Sequence, residues 1–438
     1  MSNWQKVKIG DFLFERKGRY KPNYEQIVNL PRIEKIDFSG NFHIGNKDSK
    51  TDMILIKDGD LVISGINVAK GAMGIYSGED VTATIHYSSY TFDSNKINVE
   101  YFKRFLKSSE FIELLNEQVK GGIKTEIKPK HILPLEIQLP DINTQAQIVQ
   151  HFENVEDDIA DVTKEVLKQE SLLKKLKQTI LQEAIEGKLT AKYRAKNPDI
   201  GTAKKLLEQI KTEKEKLIKE KKIRPSKPLP PINEDEIPFD IPQNWEWCRL
   251  GDISFVGTGA TPLTSEPKYY NGDINWITSS ATGADFVTEA ETKITELALK
   301  ETNCQIYPIG TLVIAMYGQG KTRGQITELM IDSATNQACA AISIYLKDKA
   351  LNQFIKKYFQ KIYLEIRELA SGGAQPNLNM QKVKDTMIAL PPLEEQKEIV
   401  ATIEKLFTLC NELESEINQN KTTVDNLMVT VLKESFEN

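Results

Sequence analysis

The sequence predicts an α+β protein: two pseudo-two-fold related, strand-dominated mixed α/β domains, separated by two long antiparallel coiled-coil helices. Three observations support this fold class. The chain contains an internal repeat, each copy opens with short alternating segments typical of strands, and each copy closes with a long heptad pattern.

The repeat is visible in short matching segments. NWQKVKIGD at 3–11 returns as NWEWCRLGD at 244–252, 241 residues later. DLVIS at 60–64 matches TLVIA at 311–315, and LPDINTQAQIV at 139–149 matches LPPLEEQKEIV at 390–400, both 251 residues later. The second copy therefore holds ten extra residues before 311. A two-copy repeat of this size predicts pseudo-two-fold symmetry, as in a dimer that binds a two-part target.

Composition changes within each copy and sets the domain boundaries that we expect. Residues 1–140 and 244–390 are rich in glycine, threonine, tyrosine and β-branched residues, which favours strand-dominated globular domains. Residues 141–190 and 391–438 should each form one long helix. Residues 191–243 join the copies through a charged helix near 202–222 and a proline-rich linker.

Both long helices carry a heptad seam. The apolar positions of the first are Ile148, Phe152, Val155, Ile159, Val162, Val166, Leu173, Leu176 and Ile180. Those of the second are Ile399, Ile403, Leu406, Cys410, Leu413, Ile417, Val424, Leu427 and Val431. One such stripe is usually a helix lying on its own domain, but two matching stripes favour helices that pack on each other. The single polar seam positions, Gln169 and Asn420, are predicted to lie near the crossing point, because a lone polar residue often fixes register.

Composition limits the function classes. The formal charge is −5, but residues 391–438 alone carry 4 basic and 10 acidic side chains, so the overall charge neither supports nor excludes DNA binding. The four cysteines and four histidines show no ligand spacing, which argues against a metal site. We expect a cytoplasmic protein, since we find no signal peptide and no apolar run long enough to span a membrane.

The segment AMYGQGKT at 315–322 invites interpretation as a phosphate-binding loop. The first glycine of that motif is missing, and Arg323-Gly324 leads into a strand-like run where a helix should begin. Its repeat partner, GINVAKGAMG at 65–74, has no Gly-Lys-Thr. We therefore interpret the segment as a hairpin. Searches for methyl-donor and nuclease motifs also give nothing above chance, so we expect a protein without catalysis of its own.

Several loops have residue types suited to nucleic acid. RKGRYKPNY at 16–24 mixes cations with tyrosines, and KGGIKTEIKPK at 120–130 supplies lysines. In the second copy, residues 258–280, YGQGKTRGQ at 317–325 and TNQ at 335–337 combine hydroxyl, amide and cationic side chains. Arginine can bridge a guanine edge, asparagine and glutamine an adenine edge, and lysines and hydroxyls can hold phosphates. Any one loop is usually a solvated turn, but several at repeat-related positions favour DNA binding.

In combination, these segments resemble the specificity subunits of type I restriction-modification systems over essentially the whole chain. The resemblance rests on VKIGD and its copy CRLGD, ATPLTSEPKYYNGDINWI (260–277), PIGTLVIAMYGQGKTRGQI (308–326), TNQACAAI (335–342), ASGGAQPNLNMQKV (370–383), LPPLEEQKEIV, and TILQEAIEGKLT (179–190). The first copy matches less well, since YKPNYEQIVNLPRIEKIDF (20–38) departs from the family's Gly-Thr-Pro…Tyr…Gly pattern.

The resemblance implies a non-catalytic, sequence-specific DNA-binding subunit with two target-recognition domains, each reading one half of a bipartite asymmetric site. The paired helices would act as the spacer. Expected partners are double-stranded DNA, two methylation subunits and the restriction (motor-nuclease) subunits, and S-adenosylmethionine, ATP and Mg would bind in those partners. The alternatives are a non-catalytic coiled-coil scaffold and a stand-alone DNA-binding protein. The candidate DNA-contacting residues are Arg19, Tyr20, Lys21, Asn67, Lys70, Lys124, Lys128, Thr261, Lys268, Tyr269, Ser279, Tyr317, Gln319, Lys321, Thr322, Arg323, Asn336, Gln337, Gln375 and Asn377.

Overall fold

The computed structural model of the chain describes residues 4–46, 49–66, 72–118, 127–318, 321–371 and 378–436. The chain divides into two compact units. Unit 1 comprises residues 1–168 and 417–438, and unit 2 comprises residues 169–416. Each long helix therefore contributes one part to each unit.

Unit 1 is built on two four-stranded sheets and a two-stranded ribbon. Its strands are β1 (Gln5–Lys8), β2 (Leu13–Glu15), β3 (Arg32–Ile36), β4 (Phe42–Gly45), β5 (Met53–Ile56), β6 (Leu61–Ser64), β7 (Met73–Ile75), β8 (Val81–Thr84), β9 (Tyr87–Phe92) and β10 (Glu136–Leu139). The sheets have the orders β2-β9-β6-β7 and β4-β3-β8-β5, and β1 pairs antiparallel with β10 to form the ribbon.

Unit 2 repeats this architecture with one addition. Its strands are β11 (Glu246–Arg249), β12 (Ser254–Thr258), β13 (Tyr270–Ile277), β14 (Phe286–Val287), β15 (Thr292–Ile294), β16 (Ile306–Tyr307), β17 (Leu312–Ala315), β18 (Ile326–Leu329), β19 (Ser333–Thr335), β20 (Cys339–Ile344) and β21 (Met387–Leu390). The sheet orders β12-β20-β17-β18-β14 and β15-β13-β19-β16, with the ribbon β11-β21, match those of unit 1 strand for strand except for β14. The extra edge strand lies before residue 311, where the second copy holds its additional residues.

The helices are α1 (Val99–Phe105), α2 (Ser109–Gln118), α3 (Pro129–Ile132), α4 (Ile142–Ile185), α5 (Ala191–Lys196), α6 (Ala203–Lys219), α7 (Leu250–Ile253), α8 (Glu296–Glu301), α9 (Lys349–Ser371), α10 (Met380–Asp385) and α11 (Leu393–Phe436). The repeat extends to their caps. The Asn98 side chain accepts hydrogen bonds from two backbone amides at the start of α1, and Asp348 does the same at the start of α9.

An aromatic core in unit 1 joins the ribbon to the first part of α4. Phe12 meets Phe102 edge to face at 5.3 Å, and Phe105 meets Phe111 at 5.7 Å. Phe152 of α4 is fully buried in the same cluster. The β2-β9-β6-β7 sheet of unit 1 is thus tied to the long helix through packed rings, which adds more than area burial alone.

The paired helices confirm the antiparallel prediction within unit 2. Lys177 Nζ of α4 donates to Glu414 Oε2 of α11 at 2.7 Å, whereas Thr190, beyond the end of α4, donates to Glu395 at the start of α11. Residue numbers therefore rise along one helix as they fall along the other. Gln169 and Asn420 belong to different units, so their predicted proximity stays a prediction.

The heptad seam is buried at only part of its positions. Val166, Leu173, Cys410 and Ile417 are buried, whereas the seam residues Val162, Leu176, Leu413 and Leu427 are 42–46 % exposed. On each helix these buried residues share one heptad position and these exposed residues share the other. Each helix thus retains an exposed apolar flank.

The connection between the copies is anchored on unit 2. Helix α4 ends at Ile185, and Gly187 follows with φ of +73°, as expected of a helix breaker. Helix α6 buries Ala203, Leu206 and Ile210 and contacts α7. None of the helices within the described ranges is both long and apolar enough to cross a membrane.

Candidate nucleic-acid interface

The segment that resembles a phosphate loop is a β-hairpin. β17 and β18 pair antiparallel with Leu312 opposite Glu328 and Ile314 opposite Ile326. Gly324 N donates to Ala315 O at 2.7 Å and closes the turn. A strand follows the Gly-Lys-Thr sequence where a nucleotide site requires a helix N-terminus, so the hairpin prediction is confirmed.

Three turns of unit 2 lie together around this hairpin, and we call them the unit 2 loop cluster: residues 258–263, residues 316–318 with 321–324, and residues 335–339. Met316 N donates to Ala338 O at 2.8 Å, which joins the second turn to the third. Thr261 Oγ1 donates to Gln337 Oε1 at 2.7 Å, which joins the first to the third. The predicted residues Thr261, Asn336 and Gln337 are therefore on adjacent turns.

The first turn of the cluster is held closely. Trp276 Nε1 donates to Ala260 O at 3.1 Å, and Tyr270 Oη donates to Pro262 O at 2.6 Å. A Cβ atom on Gly259 would stand 1.6 Å from Thr335 O, so only glycine allows this approach of the two backbones. The turn is thus fixed before any ligand arrives, as a recognition site requires.

The hairpin tip presents the cations. Lys321 is exposed, Arg323 is half-buried, and the Tyr317 ring is 47 % exposed. Tyr363 of α9 donates from its hydroxyl to Lys321 O at 3.0 Å, which holds the backbone of the tip against the helix. Thr322 packs under Gly318, where a Cβ would meet its methyl group at 2.9 Å.

Other predicted residues of unit 2 lie beside the cluster or are engaged within the domain. Ser279 belongs to the short turn at 279–283 that packs on β17 and β18. Lys268 Nζ and Tyr269 Oη both donate to Glu301 Oε2, at 3.0 and 2.8 Å. The Glu301 carboxylate raises the pKa of Lys268, so the ammonium stays charged but compensated. Lys268 would have to leave Glu301 to meet a phosphate.

In unit 1 the loop at 16–24 is anchored at one end by a buried ion pair. Arg16 Nη2 donates to Asp60 Oδ1 at 2.7 Å, and Asp60 is 1 % exposed. Arg16 is therefore a structural cation, which the interleaved charges of the sequence do not reveal. Arg19 and Lys21 are exposed, and between them Tyr20 exchanges backbone hydrogen bonds with Met53 at 2.8–2.9 Å.

The segment of unit 1 that contains Lys128 lies beside the end of β6, the first strand of the β6–β7 hairpin. Ile127 N donates to Gly65 O at 2.7 Å, so the predicted contact Lys128 lies beside the segment that follows β6. Gly65 is the repeat counterpart of Met316 in the hairpin turn of unit 2. The predicted contacts Asn67, Lys70, Lys124, Gln319, Gln375 and Asn377 lie outside the described residues.

Sequence reasoning missed three residues that shape these loops: Asp60, Tyr363 and Glu301. Asp60 and Tyr363 lie far along the chain from the loops that they hold. Only Asp60 could have been found from the sequence, since an acidic residue directly before a buried strand requires a partner. Among the described residues no cluster of histidine, cysteine or carboxylate side chains could hold a metal ion.

Comparison with known proteins places this architecture in a class. Residues 242–420 match the family model of the type I restriction modification DNA specificity domain. The EcoAI specificity subunit of Escherichia coli is 26 % identical, over 90 % of this chain and 75 % of that protein. The EcoEI specificity subunit of Escherichia coli is 28 % identical over 58 % of this chain and 43 % of that protein, so the chain matches less than half of that relative's length.

Solved structures agree on the fold. An HsdS subunit from Thermoanaerobacter tengcongensis aligns with a TM-score of 0.60 at 15 % identity, covering 99 % of this chain and 96 % of that chain. A chain from a structure of complex assembly and conformational transition in a type I R-M system aligns with a TM-score of 0.64 at 15 % identity, covering 99 % and 97 %. These structures confirm the predicted α+β fold class. The chain carries a type I restriction modification DNA specificity domain at residues 242–420 and is similar to specificity subunits of type I restriction systems, which confirms the predicted resemblance.

Proposed function

We propose that the chain is the non-catalytic, sequence-specific DNA-binding subunit of a type I restriction-modification complex. Residues 1–140 and 244–390 act as its two target-recognition domains, each reading one half of a bipartite asymmetric site. Residues 141–190 and 391–438 form the spacer helices, joined to the second domain through residues 191–243. The observation that carries the proposal is the repeated sheet architecture, in which each unit presents a hairpin and neighbouring turns with DNA-suited side chains.

The unit 2 loop cluster supports base reading by its chemistry. Amide groups on Asn336 and Gln337 can bridge an adenine edge, and Arg323 can bridge a guanine edge. Lys321, Thr322 and Thr261 suit phosphate contacts, and Tyr317 offers an exposed ring for a thymine methyl or a sugar. In unit 1 we assign the corresponding roles to Arg19, Tyr20, Lys21 and Lys128.

The exposed apolar flank of the paired helices supports an assembly role. Val162 and Leu427 are exposed in unit 1, and Leu176 and Leu413 are exposed in unit 2. Exposed apolar side chains of this kind on a helix fit a helix of a partner protein. We assign this flank to two methylation subunits, which would carry S-adenosylmethionine. Restriction subunits, with ATP and Mg, would join that complex in the cytoplasm.

Selection from random duplexes tests the proposal. The purified chain, with and without its methylation subunit, is incubated with a random library, and the bound duplexes are sequenced. We expect two short defined blocks separated by a fixed number of unread base pairs. The double variant Lys321→Ala and Arg323→Ala should blur one block and leave the other, whereas the control Lys216→Ala on α6 should change neither. Selection of a single continuous block, or of none, contradicts the proposal.

A further inference from the structure

The two ribbons of the repeat differ in how far they are covered. In unit 2, Trp245, Cys248 and Arg249 of β11 and its preceding turn are 3–6 % exposed. Their counterparts in unit 1 are less covered: Trp4 and Val7 are half-buried and Lys8 is exposed. Since the strands and their pairing are the same, the difference comes from what lies on the ribbon.

In unit 2, Trp245 donates to Glu395 of α11 and lies beside Gly187, and helix α6 with the linker after it lies on the rest of this face. Ala203 N donates to Asn244 O at 2.9 Å, the helix packs on α7, and Lys214 Nζ lies 5.1 Å from the centre of the Tyr345 ring. The linker then crosses the end of β11, where Arg249 Nε donates to Pro230 O at 3.0 Å. Helix α6 thus contacts this face through a small–leucine–isoleucine stripe of Ala203, Leu206 and Ile210.

The corresponding face of unit 1 is an open groove of about 800 Å³. Its apolar lining comes from Val7, Phe12, Leu139, Pro140 and Ile142, and its polar lining from Gln5, Asp11, Asn95, Lys96 and Asp141. By the repeat offset of 241 residues, Val7 corresponds to Cys248 of the ribbon and Phe12 to the last residue of α7. When the helix caps Asn98 and Asp348 are aligned, Asn95 corresponds to Tyr345. The groove therefore lies at the repeat position of the α6 contact surface.

The charges of the groove fit a helix of the same kind. Asp11 and Asp141 are exposed carboxylates on its lining, and hydrogen bonds from Thr144 and Asn143 lower the pKa of Asp141. The one cation of the lining, Lys96, is already paired with Asp93 at 3.7 Å, so the two carboxylates remain for a ligand. Helix α6 carries lysines around its apolar stripe, at 204, 205, 211, 214, 216 and 219. Lysines in a docked helix would meet the acidic rim at short range.

We propose that this groove of unit 1 docks an amphipathic, lysine-rich helix of a partner protein, with the small–leucine–isoleucine stripe that α6 shows to unit 2. A second copy of this chain is the poorer occupant. The α6 of a second copy is already packed on unit 2 of that copy, with Ala203, Leu206 and Ile210 buried. It would have to dissociate from that surface before it could bind the groove. The docking needs no DNA and is independent of base reading.

A peptide of residues 200–231 with a fluorescent label serves as the probe against the full chain, whose own α6 occupies unit 2. We expect saturable binding by fluorescence anisotropy, weakened at least about tenfold, or about 1.4 kcal/mol, by Val7→Glu in the chain or by Leu206→Asp in the peptide. The matched control Ile44→Glu places the same charge on another exposed apolar residue of unit 1, 47 % exposed, and should leave the affinity within about twofold. No saturable binding overturns the proposal.

Cross-linking shows whether the peptide binds beside the ribbon of unit 1 or beside the ribbon of unit 2. With benzoylphenylalanine at position 206 of the peptide, we expect cross-links to residues 5–12 or 139–142. Cross-links to residues 250–253 instead would show exchange into unit 2 and overturn the proposal. Sedimentation of the chain alone completes the test: a monomer is expected, and a dimer that Val7→Glu dissociates would make a second copy the occupant and overturn the partner assignment.

Discussion

A buried carboxylate at the start of α11 should be a main support of unit 2. Glu395 is fully buried and accepts hydrogen bonds from Thr190 at 2.8 Å, Trp245 Nε1 at 2.9 Å and Asn244 at 3.4 Å. It also pairs with Arg194, whose other guanidinium nitrogen donates to Gly187 O at 3.0 Å. This one side chain therefore ties α11, the chain after α4 and the turn before β11 together.

The substitution Glu395→Ala should cost about 3 kcal/mol. Removing one partner of a buried ion pair costs roughly 3–5 kcal/mol, and the lower end applies because the Arg194 side chain stays 23 % exposed and can be hydrated. At roughly 2–4 °C per kcal/mol for a unit of this size, the unfolding midpoint of unit 2 should fall by about 6–12 °C. Thermal unfolding followed by near-UV circular dichroism, with hydrogen exchange to locate the change, measures this.

The control for this prediction is the adjacent carboxylate. Glu394 is exposed and paired with Lys397 at 2.6 Å on the same turn, so Glu394→Ala should cost less than about 1 kcal/mol. Faster exchange in Glu395→Ala should be confined to the segments around residues 187–196, 244–246 and 393–400. Equal losses for the two variants, or a uniform rise in exchange, would refute the assignment of Glu395 as the tie.

Three further predictions concern DNA reading. Gly259→Ala should lower affinity for the half-site of the second domain about tenfold or more, because the added Cβ forces two turns apart. Gly283→Ala should leave that affinity unchanged, because its Cβ meets nothing closer than 3.9 Å. Competition binding with half-site mutants measures both effects. Tyr363→Phe should weaken DNA binding by about 1 kcal/mol, or roughly fivefold, at the same half-site only, because the hairpin tip loses its hydrogen bond to α9. An equal loss of affinity at both half-sites would contradict this. If the Lys321 ammonium contacts a phosphate, Lys321→Ala should reduce the slope of log affinity against log salt concentration by about 1. A salt titration of DNA binding measures this slope. An unchanged slope excludes the contact.

The sequence was sufficient for features that depend on pattern and repetition. The first long helix, expected within 141–190, is Ile142–Ile185, since heptad spacing and Gly187 mark the helix and its end. The hairpin at 311–326 followed from the repeat, which excluded a phosphate loop before any geometry was known. The order of the sheets was not predictable, because parallel pairs such as β13 with β19 join strands far apart in the chain.

The site was predictable by region more than by residue. Thr261 and Gln337 do meet, but nothing in their local sequence indicates this, since 76 residues separate them. Conversely, Lys268 fits the pattern of a phosphate ligand and is bound by Glu301, on a helix 33 residues further along the chain. A seam residue such as Leu176 also appears core-like by its spacing, yet its side chain is 43 % exposed. Such pairings follow from tertiary contacts, which local patterns do not encode.

The antiparallel ribbons have a consequence for how new specificities arise. Because Gln5 pairs with Leu139 and Glu246 with Leu390, the chain enters and leaves each globular domain at neighbouring points. A recombination event with breakpoints at the two strands of a ribbon would replace everything between them and leave the helices in frame and in register. The same ends would also tolerate insertions within a domain, as the extra strand β14 illustrates. If each domain reads one half of the target, as proposed, the ribbon is the point at which one half can be exchanged while the other half is inherited unchanged.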